Sequence, residues 1–302
     1  VAAGRTELLV RRRLRAAIVT TGEELAEAGS ALLPGKIYNS NLTYLQVRLV
    51  QEGCEVVYCR RTGDERSVIA AAVREAVKTA DFVVTTGGVS VGQKDQLPYV
   101  MEELGARILF RGISLKPGMP SMGAVLEKTP VLCLSGNPYS AFAVFELLIR
   151  PLKAGFLGCT EYHYTRVQTI AASGFSKPSK TRRLLRGCYD GRSVSLSGKQ
   201  QNGQLTGGIG CNCLVDIPAD SEAVQSGDAG SAPQAGFLPD CGHLRRGDSY
   251  PAFTSSPHPR AQAKADRRTK GYPVDAHGRN TEKERSGSGT GPRTGKIETA
   301  GN

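Results

Sequence analysis

From Arg15 onward, short apolar runs alternate with stretches of helical period. Ala16-Ala17-Ile18-Val19-Thr20 reads as a buried strand. From Ser40 to Gln51, Leu42, Leu45, Leu49 and Val50 recur at helical spacing, and Gly53 ends the element. Val56-Val57-Tyr58 is a second strand, and Asp64 is placed to cap a helix running through Ala80. Phe82-Val83-Val84 is a third strand, followed by a helix from Lys94 to Leu104. Ile108-Leu109-Phe110 and Val131-Leu132-Cys133-Leu134 complete five strands, with a turn at Glu127-Lys128 before the last. A long apolar helix then runs from Asn137 to Lys153. This rhythm predicts an α/β domain over 15–158: a mostly parallel sheet with helices on both faces, in three layers.

The pattern changes after Gly158. Runs such as Val167-Gln168-Thr169-Ile170 and Cys213-Leu214-Val215-Asp216-Ile217, separated by Gly, Ser and Pro, predict a small all-β domain over 159–225. Residues 226–302 hold six Val, Ile, Leu, Met or Phe against 26 Gly, Pro or Ser, too little apolar surface to offset the entropy of ordering. That segment is expected to be a disordered tail. Residues 1–14, with the charge run Val10-Arg11-Arg12-Arg13-Leu14-Arg15, read as a linker or the remnant of a preceding domain.

Composition adds bounds. The net charge of +11 favours anionic partners, but the chain has no Trp and little aromatic interleaving among its basic residues, which argues against nucleic acid. No apolar run approaches the ~20 residues of a membrane span, and Leu8-Leu9-Val10 is too short for a secretory h-region. Eight dispersed Cys read as reduced thiols in a cytoplasmic protein, Cys211 and Cys213 included. The four His lie outside the α/β region, which excludes a His-based triad there.

Three stretches at strand ends suit a phosphorylated ligand. In Thr86-Gly87-Gly88-Val89-Ser90, paired glycines let backbone N–H groups approach an oxyanion, and Ser90 adds a hydroxyl. Lys116 before Pro117-Gly118, with Arg111 near it, offers cations for phosphate. Gly136-Asn137-Pro138 places Pro at the first helical position and Asn137 at the cap, with first-turn N–H groups free for an anion. Glu23, Glu24, Asp64 and Asp95 fall at strand ends or in the loops beyond them. Beside a phosphate they call for a cation such as Mg²⁺, or for a water to orient.

These stretches, together with Thr21-Gly22-Glu23-Glu24-Leu25 and Ile37-Tyr38-Asn39-Ser40-Asn41, resemble the molybdopterin molybdenumtransferases of molybdenum cofactor biosynthesis, the family that includes the C-terminal region of gephyrin. The resemblance runs from about residue 5 to 225. It implies the molybdopterin-binding α/β fold and insertion of molybdate into adenylylated molybdopterin, with release of AMP and use of Mg²⁺. It places the catalytic and metal-binding carboxylates on Glu24, Asp64 and Asp95. It places the ligand pocket on Thr86, Gly87, Gly88, Ser90, Arg111, Lys116, Gly136, Asn137 and Pro138. It further implies a homodimer with its site at the subunit boundary, and molybdoenzyme or cofactor-pathway partners. Glu23 replaces the family's Asp, Met119 its second Lys and Ser135 its Pro. Two further domains precede this region in the family, so a chain lacking them is expected, with residual activity open. The alternatives are the adenylyltransferase of the same fold, which lacks the β region after Gly158, and a non-catalytic molybdopterin-binding module. A competence-damage type hydrolase would show a GLGPT-like loop where Gly88-Val89-Ser90-Val91-Gly92 stands.

Overall fold

The computed structural model describes Gly4 and residues 6–90, 95–159, 166–226 and 234–237. All described residues lie within one unit, 1–243. In chain order the elements are β1 (Arg15–Thr21), β2 (Leu25–Ala26), β3 (Ile37–Tyr38), α1 (Ser40–Gln51), β4 (Glu55–Thr62), α2 (Arg66–Thr79), β5 (Phe82–Thr86), α3 (Leu97–Glu103), β6 (Arg107–Arg111), β7 (Leu115–Lys116), β8 (Met122–Leu126), β9 (Thr129–Leu134) and α4 (Pro138–Phe156). Then follow β10 (Arg166–Gln168), β11 (Ile170–Ala171), β12 (Arg182–Tyr189), β13 (Ser193–Leu196), a 3₁₀ turn at Leu205–Gly208, β14 (Cys213–Ile217) and β15 (Gln234–Phe237).

The main sheet has the order β4-β1-β5-β9-β8-β6. The first four strands are parallel, as the βαβ rhythm requires. Strand alternation sorts β1 between two cores. Ala16 and Ile18 pack with Leu45, Leu49, Phe145 and Ile149 from α1 and α4, whereas Ala17 and Val19 pack with Ile69, Val73, Val100 and Met101 from α2 and α3.

Three expectations need correction. β8 is absent from the sequence reading. It pairs antiparallel with both β6 and β9, the latter through a hairpin turning at Glu127 (φ 56°). Its Gly123 lies against Phe110, where a Cβ would stand 2.3 Å from the ring, so the strand carries a hole in its apolar pattern. Asp64 does not cap α2: Glu65 holds that position, without a side-chain cap bond. The segment 226–302 is not wholly without regular structure, since Gln234–Phe237 pairs with β14 and β10. That pairing runs through the backbone and needs no apolar periodicity. The rest of the segment beyond Ser226, and the expected helix start at Lys94, lie outside the described residues.

The second sheet has the order β10-β15-β14-β12-β13-β11 and is joined by β7, whose Leu115 and Lys116 pair with Arg182 and Arg183. Its own core is Ala171, Leu185, Val194, Cys213, Val215 and Ile217. Leu184 and Leu214, on the other face, join the α1/α4 core.

Candidate functional site

A cleft of about 670 Å³ lies along the carboxyl ends of β4, β1, β5 and β9, where open parallel sheets hold ligands. Each strand delivers one loop to it. Glu24 follows β1, Asp64 follows β4, and Gly87, Gly88, Ser90 and Asp95 follow β5. Gly136, Asn137 and Pro138 follow β9, where α4 begins.

The glycine turn is built by exclusion. Gly87 has φ +89° and Gly88 φ +61°, and a Cβ on Gly87 would stand 2.3 Å from the Thr21 carbonyl oxygen. The Gly87 N–H donates to the Leu134 carbonyl (3.1 Å) and the Gly88 carbonyl accepts from the Leu97 N–H (2.9 Å). Below the turn sits Thr21, 4% exposed, whose Oγ1 has no hydrogen-bond partner among the described residues. Thr20 beside it is satisfied, since Asn39 Nδ2 donates to its Oγ1 at 2.8 Å. Asn39 also caps α1, accepting from the Leu42 N–H at 3.2 Å, and Asn41 Nδ2 reaches the Gly136 carbonyl at 2.8 Å. The N-terminal ends of α1 and α4 are thereby tied together at the cleft.

The Glu24 carboxylate folds back over Gly22, where a Cβ would stand 2.6 Å from its Oε2. Glu23 accepts from the Asp64 N–H at 3.3 Å, so the longer side chain bridges the β1 and β4 loops. Glu24, Asp64 and Asp95 share the cleft, yet no three His, Cys, Asp or Glu side chains among the described residues gather closely enough to hold a metal ion. The expected three-carboxylate metal site is therefore not preformed. Its residues line the cleft separately.

The basic residues do not arrive. Arg111 is exposed and faces Glu102 at 3.9 Å, and Lys116 is an exposed residue of β7, which belongs to the second sheet. Thr86 is buried at the end of β5 and does not line the cleft. No described lining residue is Lys or Arg. The first turn of α4 also offers fewer donors than expected. Pro138 has no N–H, the Asn137 N–H donates to Ser135 Oγ (3.3 Å), and the Tyr139 N–H donates to the Asn202 carbonyl (3.1 Å).

The Asn202 contact brings in a wall that the sequence reading missed. Gly203, from the loop after β13, lines the cleft. Arg186 holds that loop. It is 3% exposed, donates to the carbonyls of Lys199, Gln201 (3.2 Å) and Gln204 (2.7 Å), and lies over the Tyr139 ring at 3.9 Å. Thr21, Ile37, Tyr38 and Ser40 are further lining residues that the sequence reading did not assign to the site, although all but Thr21 adjoin the Asn39 cap that brings them there. No described helix is long and apolar enough to cross a membrane.

Residues 17–154 match the family model described as a probable molybdopterin binding domain. The molybdopterin molybdenumtransferase of Bacillus subtilis (strain 168) is 32% identical over 214 residues, 70% of this chain and 50% of its own length. That of Staphylococcus aureus (strain COL) is 30% identical over 228 residues, 74% of this chain and 54% of its own. The crystal structure of the molybdopterin biosynthesis MoeA protein from Pyrococcus horikoshii superposes with a TM-score of 0.65 at 27% identity, over 74% of this chain and 54% of that one. The chain spans about half the length of the curated relatives it matches. Residues 17–154 are thus a domain of the molybdopterin-binding family, and the chain is a relative of the molybdopterin molybdenumtransferases.

Proposed function

We propose that this cleft binds adenylylated molybdopterin and serves the insertion of molybdate with release of AMP. One observation carries the reading: three strand-end loops bring Glu24, Asp64 and Asp95 around the Gly87–Gly88 turn, in a cleft whose described lining holds no Lys or Arg. An anionic phosphate beside three carboxylates is repelled unless a cation arrives with it. Mg²⁺ suits that donor set, because it takes one or two carboxylates and completes its shell with substrate oxygens and water. When bound, it would neutralise charge on the phosphoryl oxygens. One or two of Glu24, Asp64 and Asp95 would hold it, and a carboxylate not so engaged would orient the water or oxygen that reacts. The glycine turn and Ser90 supply close, uncharged contact to the phosphate. The β13–β14 loop, fixed by Arg186, covers the cleft from the side. A homodimer in the cytoplasm, with molybdoenzyme or cofactor-pathway partners, completes the proposal.

The test is calorimetric titration of the 302-residue chain with AMP, with and without Mg²⁺, in wild type and in Asp95→Ala and Glu24→Ala. The expected result is affinity that requires Mg²⁺ in wild type and falls at least tenfold in each variant, with thermal unfolding little changed. Binding that is indifferent to both Mg²⁺ and Asp95 would refute the metal-bridged reading.

A further inference from the structure

We infer that Ile37 and Tyr38 form a subsite for the planar heteroaromatic ring of the ligand whose phosphate the cleft holds. The inference rests on the phosphate reading above and assigns a further part of the same cleft. Both residues line the cleft, yet Ile37 is 56% and Tyr38 45% exposed, among the larger apolar side chains left open on this surface. Elsewhere the lining is Gly, Ser, Thr, Asn and carboxylates, with Val89 and Pro138. An apolar edge on an otherwise polar cleft is where the face of a flat heteroaromatic ring can stack.

The edge is held rigidly. The Ile37 N–H donates to the Glu24 carbonyl (2.8 Å), and the Asn39 N–H donates to the Ala26 carbonyl (2.9 Å). Leu25 and Ala26 pair with Ile37 and Tyr38, and Lys36 Nζ donates to the Glu23 carbonyl. The apolar pair therefore stands at a fixed place beside the Glu24 loop. Tyr38 Oη donates to the Ser30 carbonyl at 3.0 Å, so its hydroxyl is engaged within the protein and the ring is what it offers a ligand. A ligand with its phosphate at the Gly87–Gly88 turn can lay its base or pterin against this edge without moving the backbone. The cleft volume of about 670 Å³ accommodates both parts, within the roughly 300–1,000 Å³ of small-molecule sites.

The experiment uses the full chain with Mg²⁺ and three probes: AMP, ribose 5-phosphate, which keeps the phosphate and lacks a base, and pterin-6-carboxylate, which keeps a ring and lacks the phosphate. Tyr38→Ala is expected to weaken binding of a ring-bearing probe on the order of tenfold, the scale of aromatic–base stacking. Ribose 5-phosphate should bind unchanged. Tyr38→Phe should behave as wild type, because the hydroxyl serves Ser30. A loss for AMP assigns the subsite to the adenine, and a loss for the pterin alone assigns it to the pterin; either supports the proposal. Equal losses for ribose 5-phosphate and AMP would mean a structural role for Tyr38 and overturn it. Unchanged affinity for both ring-bearing probes would overturn it while leaving the phosphate reading intact. Wild-type chain that binds no phosphate-bearing probe would sink both.

Discussion

Replacing Glu146 by Ala should destabilise the fold by about 3 kcal/mol, the lower end for breaking a buried ion pair. Glu146 is 5% exposed in the middle of α4 and faces Arg48 of α1, itself 6% exposed. Arg48 donates through Nε to Glu146 Oε1 (2.8 Å) and through Nη2 to Oε2 (3.0 Å), a two-point contact. Tyr44 Oη donates to Oε1 as well, at 3.0 Å. Burial, together with the Glu146 charge, pushes the Tyr44 phenol well above its usual range, so it stays a donor. Glu52 completes the cluster, facing Arg48 (3.2 Å), Arg150 (3.1 Å) and Lys153 (2.6 Å).

Three cations thus share two carboxylates, a net charge of +1. Without Glu146 the same three face one, a net of +2, in a place with little water to screen them. Arg48 would keep Gln51 Oε1 at 2.7 Å and Glu52, which is why the lower end of the range applies. Glu146→Gln keeps one acceptor for Arg48 and should cost about half as much. The double variant Glu146→Ala/Arg48→Met should be more stable than Glu146→Ala alone, because no unpaired charge is left buried. Urea unfolding followed by circular dichroism measures all three. A Glu146→Ala change within about 0.5 kcal/mol of wild type, the scale of an ordinary surface substitution, would refute the claim that this pair locks α1 to α4.

Thr21→Val is expected to raise stability by about 1 kcal/mol, since it removes an orphaned buried hydroxyl at nearly constant shape. A lowered melting temperature would show that the hydroxyl has a partner. Gly87→Ala is expected to cost roughly 3 kcal/mol or more, because φ is +89° and the new methyl meets the Thr21 carbonyl at 2.3 Å. A variant that melts with wild type and still binds AMP would contradict that geometry. Stability should fall in acid partly through Glu52. Burial alone would raise its carboxyl, but the Lys153 hydrogen bond and the Arg150 and Lys153 charges outweigh burial and hold it below its ordinary 4.5. A lowered folded-state value means the contribution is present above the ordinary value and is lost as pH falls through the lower one. Glu52→Gln should therefore lie below wild type at neutral pH and converge on it in acid, read by thermal melts across pH; parallel curves would contradict the sign.

What the sequence made legible was whatever depends on neighbours along the chain. The alternation that sends Ala16 and Ile18 to one core and Ala17 and Val19 to the other is written in consecutive residues, as are the glycine turn and Pro138 at the start of α4. β8 was illegible because Gly123 interrupts its pattern to admit Phe110, a residue from another strand. Arg111 and Lys116 stand outside the described cleft lining for the same kind of reason. A cation a few residues past a strand can point anywhere, and here Arg111 turns to Glu102 while Lys116 enters the second sheet. The Tyr139 N–H looked free in sequence because its acceptor, the Asn202 carbonyl, is supplied from 63 positions further on (202 − 139).

The second sheet is therefore part of the cleft's construction, and not an appendage to a self-sufficient α/β domain. β7 leaves the main sheet's connection to pair with β12, and Leu184 and Leu214 close the core beneath α4. From that base, Tyr139 is held at three points: its N–H by Asn202, its hydroxyl by the Leu184 carbonyl at 3.0 Å, and its ring by Arg186. Tyr139 directly follows Pro138, which lines the cleft, so these contacts fix where α4 begins relative to the glycine turn. The same Arg186 that presses on Tyr139 gathers the carbonyls of the loop carrying Gly203. Arg186 is engaged by the loop carbonyls and the Tyr139 ring, keeps its Nε without a partner among the described residues, and does not line the cleft. No Lys or Arg among the described lining residues balances Glu24, Asp64 and Asp95, and on the proposed reading a divalent ion carried on the ligand's phosphate supplies that positive charge.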